Sequence, residues 1–219
     1  MSKTVTITID DKQISVTEGE KLLWAALENG IYIPHLCGVK EAERPEASCR
    51  LCFVEVEGMP NPVTSCTLPV KEGMVVRTRS PRVDRLVRTG FELLLSNHRL
   101  GCAKCAKNGK CALQKMAKER GLKLKLTRLR SLVKETPVDD SPQSFSFDPS
   151  RCVLCGQCVW VDRNKVKVGA IGFIKRGMDR KVSTFGEVKL AESRCTQCGE
   201  CVKVCPVGAL TASSEKESL

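Results

Sequence analysis

Fourteen cysteines, set in four groups, constrain this 219-residue chain more than any other feature. Cys37, Cys49, Cys52 and Cys66 follow the spacing Cx11CxxCx13C, and Cys102, Cys105 and Cys111 follow CxxCx5C. Cys152, Cys155 and Cys158 form a CxxCxxC run; Cys195, Cys198, Cys201 and Cys205 complete a CxxCxxCxxxCP run with Pro206. Met1 to Asp10 has no apolar signal-peptide core and no run approaches transmembrane length, so a cytoplasmic chain without membrane insertion is expected. In that reducing compartment, clustered cysteines bind metal rather than pair as disulfides. A chain of this length holds two or three small domains, each with a modest core that bound metal would reinforce.

In chain order, Val5, Ile7 and Ile9 alternate with threonines, Asp10 and Asp11 turn the chain, and Ile14 and Val16 resume the alternation, which predicts a β-hairpin. A helix carrying Leu22, Leu23, Ala26 and Leu27 should follow, closed by Asn29 and Gly30. Phe53, Val54 and Val56 form a strand behind the close pair Cys49 and Cys52. Four thiolates on a strand-framed loop suit a [2Fe-2S] cluster, although the plant-type order CxxxxCxxC is not met. Zinc is the competing ligand, but four-cysteine zinc sites usually use two CxxC pairs, and only one is present here. Ser80 and Pro81 start a second helix with Val83, Leu86, Val87, Phe91, Leu94 and Leu95 on one broad face, ending at Asn97. His98 then precedes Cys102, Cys105 and Cys111; a three-cysteine [4Fe-4S] site needs one more donor, which makes His98 a ligand rather than a helix-end cap. His35 faces no such vacancy and is read as structural. From Ala112 to Lys134 the chain is expected to be helical in places, with Lys115, Lys118, Arg120, Lys123, Lys125, Arg128 and Arg130 on a solvated face or against an acidic partner. Pro137 to Pro149 reads as an ordered linker, the glycine-punctuated segment from Val166 to Gly186 as short strands over the clusters, and the residues after Leu210 as a frayed tail.

The order [2Fe-2S], histidine-ligated [4Fe-4S], two-cluster module resembles the N-terminal part of the complex I large iron-sulfur subunit and of iron-only hydrogenases, and the small diaphorase subunit of NAD-linked hydrogenases. The resemblance implies an α+β chain in three parts. These are a β-grasp [2Fe-2S] ferredoxin domain over 1–79, a small helical domain with the His98 cluster and the basic segment over 80–136, and a bacterial-ferredoxin-like domain with a polar tail over 137–219. In two-cluster ferredoxins each run gives its fourth thiolate to the other cluster. Cys205 should therefore complete Cys152, Cys155 and Cys158, while Cys195, Cys198 and Cys201 need a donor four residues after Cys158. That position holds Asp162. Either Asp162 ligates, or stands beside, a labile iron of that cluster, or it is an exposed loop residue and the site holds a [3Fe-4S] core or nothing.

The formal charge of +11 would suggest a nucleic-acid partner. Thiolates on four clusters would remove roughly 6 charges net, and aromatic residues, 4% of the chain, leave little for base stacking. A zinc-stabilised nucleic-acid-binding protein is thus the different-class alternative, and a free-standing ferredoxin another. No GxGxxG or GxxxxGK occurs, and no nucleophile with a base, so neither flavin, nucleotide nor catalytic site is expected on this chain. The resemblance implies an electron relay between an NAD(P)H/FMN flavoprotein subunit and a second redox module, with a small thioredoxin-like [2Fe-2S] subunit as a further partner. A soluble NAD-linked hydrogenase is the first setting; a formate dehydrogenase or electron-bifurcating transhydrogenase would need the same wiring.

Overall fold

The alternation near the N-terminus produces the expected hairpin in the computed structural model, which describes residues 3–215: β1 (Thr4–Ile9) pairs antiparallel with β2 (Lys12–Thr17). Asp10 and Asp11 both adopt left-handed backbone, φ 47° and 66°, the turn geometry that matches strand twist. The Asp10 carboxylate also accepts from the Thr78 backbone N–H at 2.8 Å and from its hydroxyl, tying a distant segment to the hairpin. Next comes α1 (Leu22–Glu28), which buries Leu22, Leu23, Ala25 and Ala26 and stops at Asn29, with Gly30 at φ 76°.

Three further strands, β3 (Phe53–Val56), β4 (Val63–Thr64) and β5 (Val75–Arg77), complete a mixed sheet in the order β2-β1-β5-β3-β4. β1 and β5 run parallel and the remaining neighbours antiparallel. Val5, Ile7, Ile9, Val54 and Val76 form one core with the apolar residues of α1, and Cys52 and Cys66 belong to that core. The helix α2 (Pro81–Ser96) begins as expected, the Ser80 hydroxyl accepting from Val83 N–H at 3.2 Å, and it buries Val83, Val87, Phe91 and Leu95 at four-residue spacing. Gly90 lets this helix pack directly on the cysteine loop: a Cβ there would lie 2.7 Å from the Arg50 carbonyl oxygen. Within α2 the chain divides into two units, residues 1–91 and 92–219.

In the second unit, α3 (Ala112–Arg120) ends at Gly121 with φ 63°. The basic stretch is helical in part, as expected, over α3. Beyond α3 it is an extended strap in which half-buried Leu122, Leu124 and Leu126 alternate with exposed Lys123 and Lys125, a period of two that no helix supports, and half-buried Leu129 follows three residues on. Arg120, counted with the solvated charges, is buried. The buried Glu92 anchors the strap by accepting from Thr127 Oγ1 and Arg128 Nε, each at 2.9 Å.

The expected linker and tail are also not peripheral. β6 (Phe145–Phe147), inside the supposed linker, pairs antiparallel with β9 (Leu210–Ala212), and Ser213 N–H continues the pairing to the Ser144 carbonyl at 3.0 Å. Apolar burial of Phe145 and Leu210 holds both ends of the module together; residues 216–219 lie outside the described part. Between these strands lie α4 (Gln157–Val161), the hairpin of β7 (Ile171–Ile174) and β8 (Lys181–Thr184), and α5 (Glu200–Lys203). The hairpin covers the cysteine loops as expected: the Phe173 ring lies 3.2 Å from where a Cβ of Gly156 would be.

Gly90→Ala tests the contact between α2 and the cysteine loop. Alanine improves an ordinary helix interior by about 1 kcal/mol, whereas crowding a rigid backbone oxygen costs about 1–3 kcal/mol. The denaturation midpoint should therefore fall; a raised midpoint would show that the close approach is absent.

Candidate metal centres

Cys37, Cys49, Cys52 and Cys66 are all buried, and each has others of the set among its neighbours. Arg50 at φ 54° turns the chain between Cys49 and Cys52, and the Cys49 N–H points to the Cys37 Sγ at 3.5 Å. The thiols act in pairs. A hydrogen bond from Cys49 lowers Cys37 to about 5, while the same bond and burial push Cys49 up. Likewise the Cys66 hydrogen bond lowers Cys52 to about 7, and Cys66 is pushed up by that bond and by burial. Iron binds thiolate, so loading metal at this site would release the protons these thiols hold, coupling metal loading to acid release. Ser65 Oγ is a further sign of fit: it is buried without a hydrogen-bond partner and neighbours the Cys52 thiol, an orphaned donor that a sulfur-rich cluster could satisfy. His35 is structural in its contacts, with Nδ1 bonded to the Ile33 carbonyl at 2.9 Å and its ring edge-on to Trp24.

His98 stands just past α2, buried at 9% exposure, which removes the surface-cap reading. Its Nδ1 donates to the Arg151 carbonyl at 2.8 Å, and burial holds its pKa below the ordinary imidazole range, that bond pulling the other way. A carbonyl can only accept, so the neutral ring carries its proton on Nδ1 and presents the Nε2 lone pair. Cys102 and Cys105 sit on a short 3-10 turn, and Cys111 precedes the first residue of α3. Cys102 and Cys105 both lie close enough to Cys111 to raise it, after burial, the larger cause.

The two ferredoxin-type runs are built alike. Leu154 and Gln197 share left-handed backbone, φ 54° and 55°, and each N–H points back to the first sulfur of its run, Cys152 or Cys195, at 3.4 Å. Gly156 and Gly199, at φ 79° and 73°, then open α4 and α5. Cys205 crosses to the first run: its thiol neighbours Cys152 and Cys158. Burial pushes Cys152 up to about 12 and Cys158 well up. In the second run burial pushes Cys201 up to about 12 and also raises Cys195, with Cys198, Asp162 and Asp139 adding to the latter. Asp162 is 8% exposed, not an exposed loop residue. Its Oδ2 accepts from Ile171 N–H at 3.1 Å, and it lines one cavity with Cys195, Cys198 and Cys201. Cys198 is the exposed cysteine of the chain. Among the described residues no three His, Cys, Asp or Glu side chains are placed to hold a single ion.

Sequence reasoning missed the turn Asp148-Pro149-Ser150-Arg151. Asp148 accepts from Ser150 N–H at 3.0 Å and Arg151 Nε at 3.1 Å, and this turn presents the Ser150 carbonyl to Arg99 N–H and the Arg151 carbonyl to His98, each at 2.8 Å. Arg151 thereby joins the His98 set to the neighbouring Cys152. Gly208 permits the approach from the other side, since a Cβ there would lie 2.5 Å from Cys105 Sγ and 3.9 Å from Arg151 Nη1. The Asp-Pro pair was the available signal, as a cap with proline at the first position; its carbonyl acceptors leave none.

Comparison with known proteins agrees with this succession. Residues 2–81 match the 2Fe-2S iron-sulfur cluster binding domain, residues 88–124 the NADH-ubiquinone oxidoreductase-G iron-sulfur binding region, and residues 144–211 the ferredoxin-like domain of NADH-quinone oxidoreductase subunit 3. The NADP-reducing hydrogenase subunit HndD of Solidesulfovibrio fructosivorans is 39% identical over 94% of this chain, and the mitochondrial NADH-ubiquinone oxidoreductase 78 kDa subunit of Neurospora crassa is 34% identical over 95%. The chain spans only 36% and 27% of those two proteins. A chain in the crystal structure of an NAD+-reducing [NiFe]-hydrogenase in the H2-reduced state superposes with a TM-score of 0.84 at 32% identity, covering 96% of this chain and 88% of that one. The chain therefore belongs to the family of iron-sulfur subunits shared by NADH-quinone oxidoreductases and NAD-reducing hydrogenases.

Proposed function

We propose that this chain is the electron-relay subunit of a soluble NAD-linked hydrogenase, taking electrons to or from an FMN-containing flavoprotein subunit that exchanges hydride with NAD(P)H. The succession of four donor sets along one chain carries the reading. Cys37, Cys49, Cys52 and Cys66 would hold a [2Fe-2S] cluster; His98, Cys102, Cys105 and Cys111 a [4Fe-4S] cluster; Cys152, Cys155, Cys158 and Cys205 another; and Cys195, Cys198 and Cys201 a fourth. Bound clusters supply one-electron chemistry that hydride transfer at a flavin lacks. The protein's own part is to bury the thiols, aim N–H and hydroxyl donors at sulfur and fix the His98 tautomer, the levers that set a potential. The β-grasp reading of 1–79, with separate parts over 80–136 and 137–219, belongs to the same proposal. Among the described residues no helix is long and apolar enough to cross a membrane, and a cytoplasmic assembly with a thioredoxin-like [2Fe-2S] subunit and a hydrogenase module is the setting proposed.

Anaerobic purification from the native source tests this directly. The chain should arrive brown, with a flavoprotein and a hydrogen-activating subunit, and NAD(P)H should bleach its visible absorption only when the flavoprotein is present. A colourless, zinc-containing chain bound to nucleic acid, or a monomer with no partner, would sink the proposal.

His98 offers a sharper check on ligation. His98→Cys adds a thiolate charge, so the cluster there should persist with a lower potential in an EPR-monitored redox titration, whereas His98→Ala should lose it or bind it weakly. An unchanged potential in both variants would remove His98 from the ligand set.

A further inference from the structure

The geometry points to Asp162 as the fourth protein ligand of the Cys195, Cys198 and Cys201 site, holding one iron through a carboxylate oxygen so that this iron is exchangeable while the other three are fixed by thiolate. The inference rests on reading that run as a cluster site and adds to it the identity and consequence of the missing donor.

Two observations lead there independently. The first is the internal repeat. The runs share backbone conformation, N–H to sulfur contacts and a following helix, so positions can be matched between them. Cys205 follows Cys201 by four residues, lies just beyond α5 and crosses to Cys152 and Cys158. Asp162 follows Cys158 by four residues, lies just beyond α4 and stands near Cys195. The crossover is thus made in both directions, once by a thiol and once by a carboxylate.

The second is the placement of the side chain. A carboxylate is seldom buried without partners that justify the loss of water. Asp162 is buried, and its Oδ2 is anchored by Ile171 N–H at 3.1 Å. The carboxylate borders the cavity that Cys195, Cys198 and Cys201 also line, with Ile171 and Leu190 forming part of the apolar wall. One oxygen fixed by the backbone orients the other, as a ligating carboxylate requires. The π-helical turn of Asp162–Val166, closed by Val168 N–H on the Asp162 carbonyl at 3.1 Å, holds the residue in that position. Oxygen is a harder, weaker donor to cluster iron than thiolate. Iron bound through Asp162 should therefore leave before any other, to an external chelator, with one electron taken by an added oxidant as the [4Fe-4S] core becomes [3Fe-4S].

The test uses the full chain, purified anaerobically and reconstituted with ferrous iron and sulfide, as wild type, Asp162→Asn and Asp162→Cys. Asparagine keeps an oxygen for Ile171 N–H but carries no charge, so folding and ligation are separated. Wild type should bind about 14 iron and fall to about 13 on mild ferricyanide with chelator, while a [3Fe-4S] EPR signal appears. Asp162→Asn should show that signal before treatment, and Asp162→Cys should keep about 14 through it. Should the asparagine variant not accumulate, the contrast between wild type and Asp162→Cys still decides. Equal iron retention in wild type and Asp162→Cys would overturn the role of Asp162 and leave the relay reading intact. A wild-type count near 10 would instead overturn the cluster site itself.

Discussion

Gathering thiols inside a protein is unfavourable unless something positive joins them, and this constraint shapes the whole chain. Burial raises Cys111, Cys152, Cys158, Cys195 and Cys201, so each retains its proton more firmly than a free thiol would. Iron reverses that balance, because thiolate bound to metal is already deprotonated and its charge is shared. Folding and cluster insertion are for this reason one equilibrium rather than two. The apolar residues around the first site show the same dependence from the other side: Cys52 and Cys66 are members of the core that packs α1 on the sheet. Two small units with modest cores would gain in cohesion from metal held by these thiols.

The second unit adds a topological device. Its first and last strands, β6 and β9, pair with each other; between them Cys205 of the second run stands beside Cys152 and Cys158 of the first, and Asp162, just after the first run, stands beside Cys195 of the second. On the proposed ligand sets neither run would be complete without the other, so the module would close as a whole. The turn at Asp148–Arg151 extends the closure to the His98 site, since it is built on β6, carries the Cys152 run on its far end and holds the imidazole by a carbonyl. One short stretch thereby fixes the orientation of a ligand in one set and the approach of the chain to another.

Features with short sequence range were legible in the residues. The β1–β2 hairpin followed from alternation, the start of α2 from Ser80-Pro81, and the division of the cysteines into four groups from their spacing, whereas the crossover expected of Cys205 rested on the resemblance to two-cluster ferredoxins. What the sequence concealed depends on contacts made far along the chain. The segment from Pro137 to Pro149 has the composition of a linker, yet Phe145 and Phe147 find β9 more than sixty residues later. The basic charges between Ala112 and Lys134 were read as helical in places, but beyond Gly121 the alternation of half-buried Leu122, Leu124 and Leu126 belongs to an extended strap, and its anchor, Glu92 on α2, lies some thirty-five residues earlier. Carbonyl acceptors such as that of Arg151 are common to every residue type and leave no trace in a sequence.

The two departures from all-cysteine ligation act on different quantities, which explains how one relay can hold both. As a proposed ligand, His98 would replace a charged donor with a neutral one, removing a negative charge from its site, and its acceptor, the Arg151 carbonyl, would return part of the electron density through the ring. That change bears on potential. As the proposed ligand, Asp162 would keep the charge of the thiolate it stands in for and alter only donor hardness, which bears on how firmly one iron would be held. Its site is also the one whose cysteine, Cys198, reaches the surface, so solvent and small chelators have a route to it, whereas Cys158 of the neighbouring run is buried. A weak ligand deep in the module would be protected and inconsequential; placed at the exposed site, the proposed ligand would make the occupancy of a single iron responsive to the conditions outside.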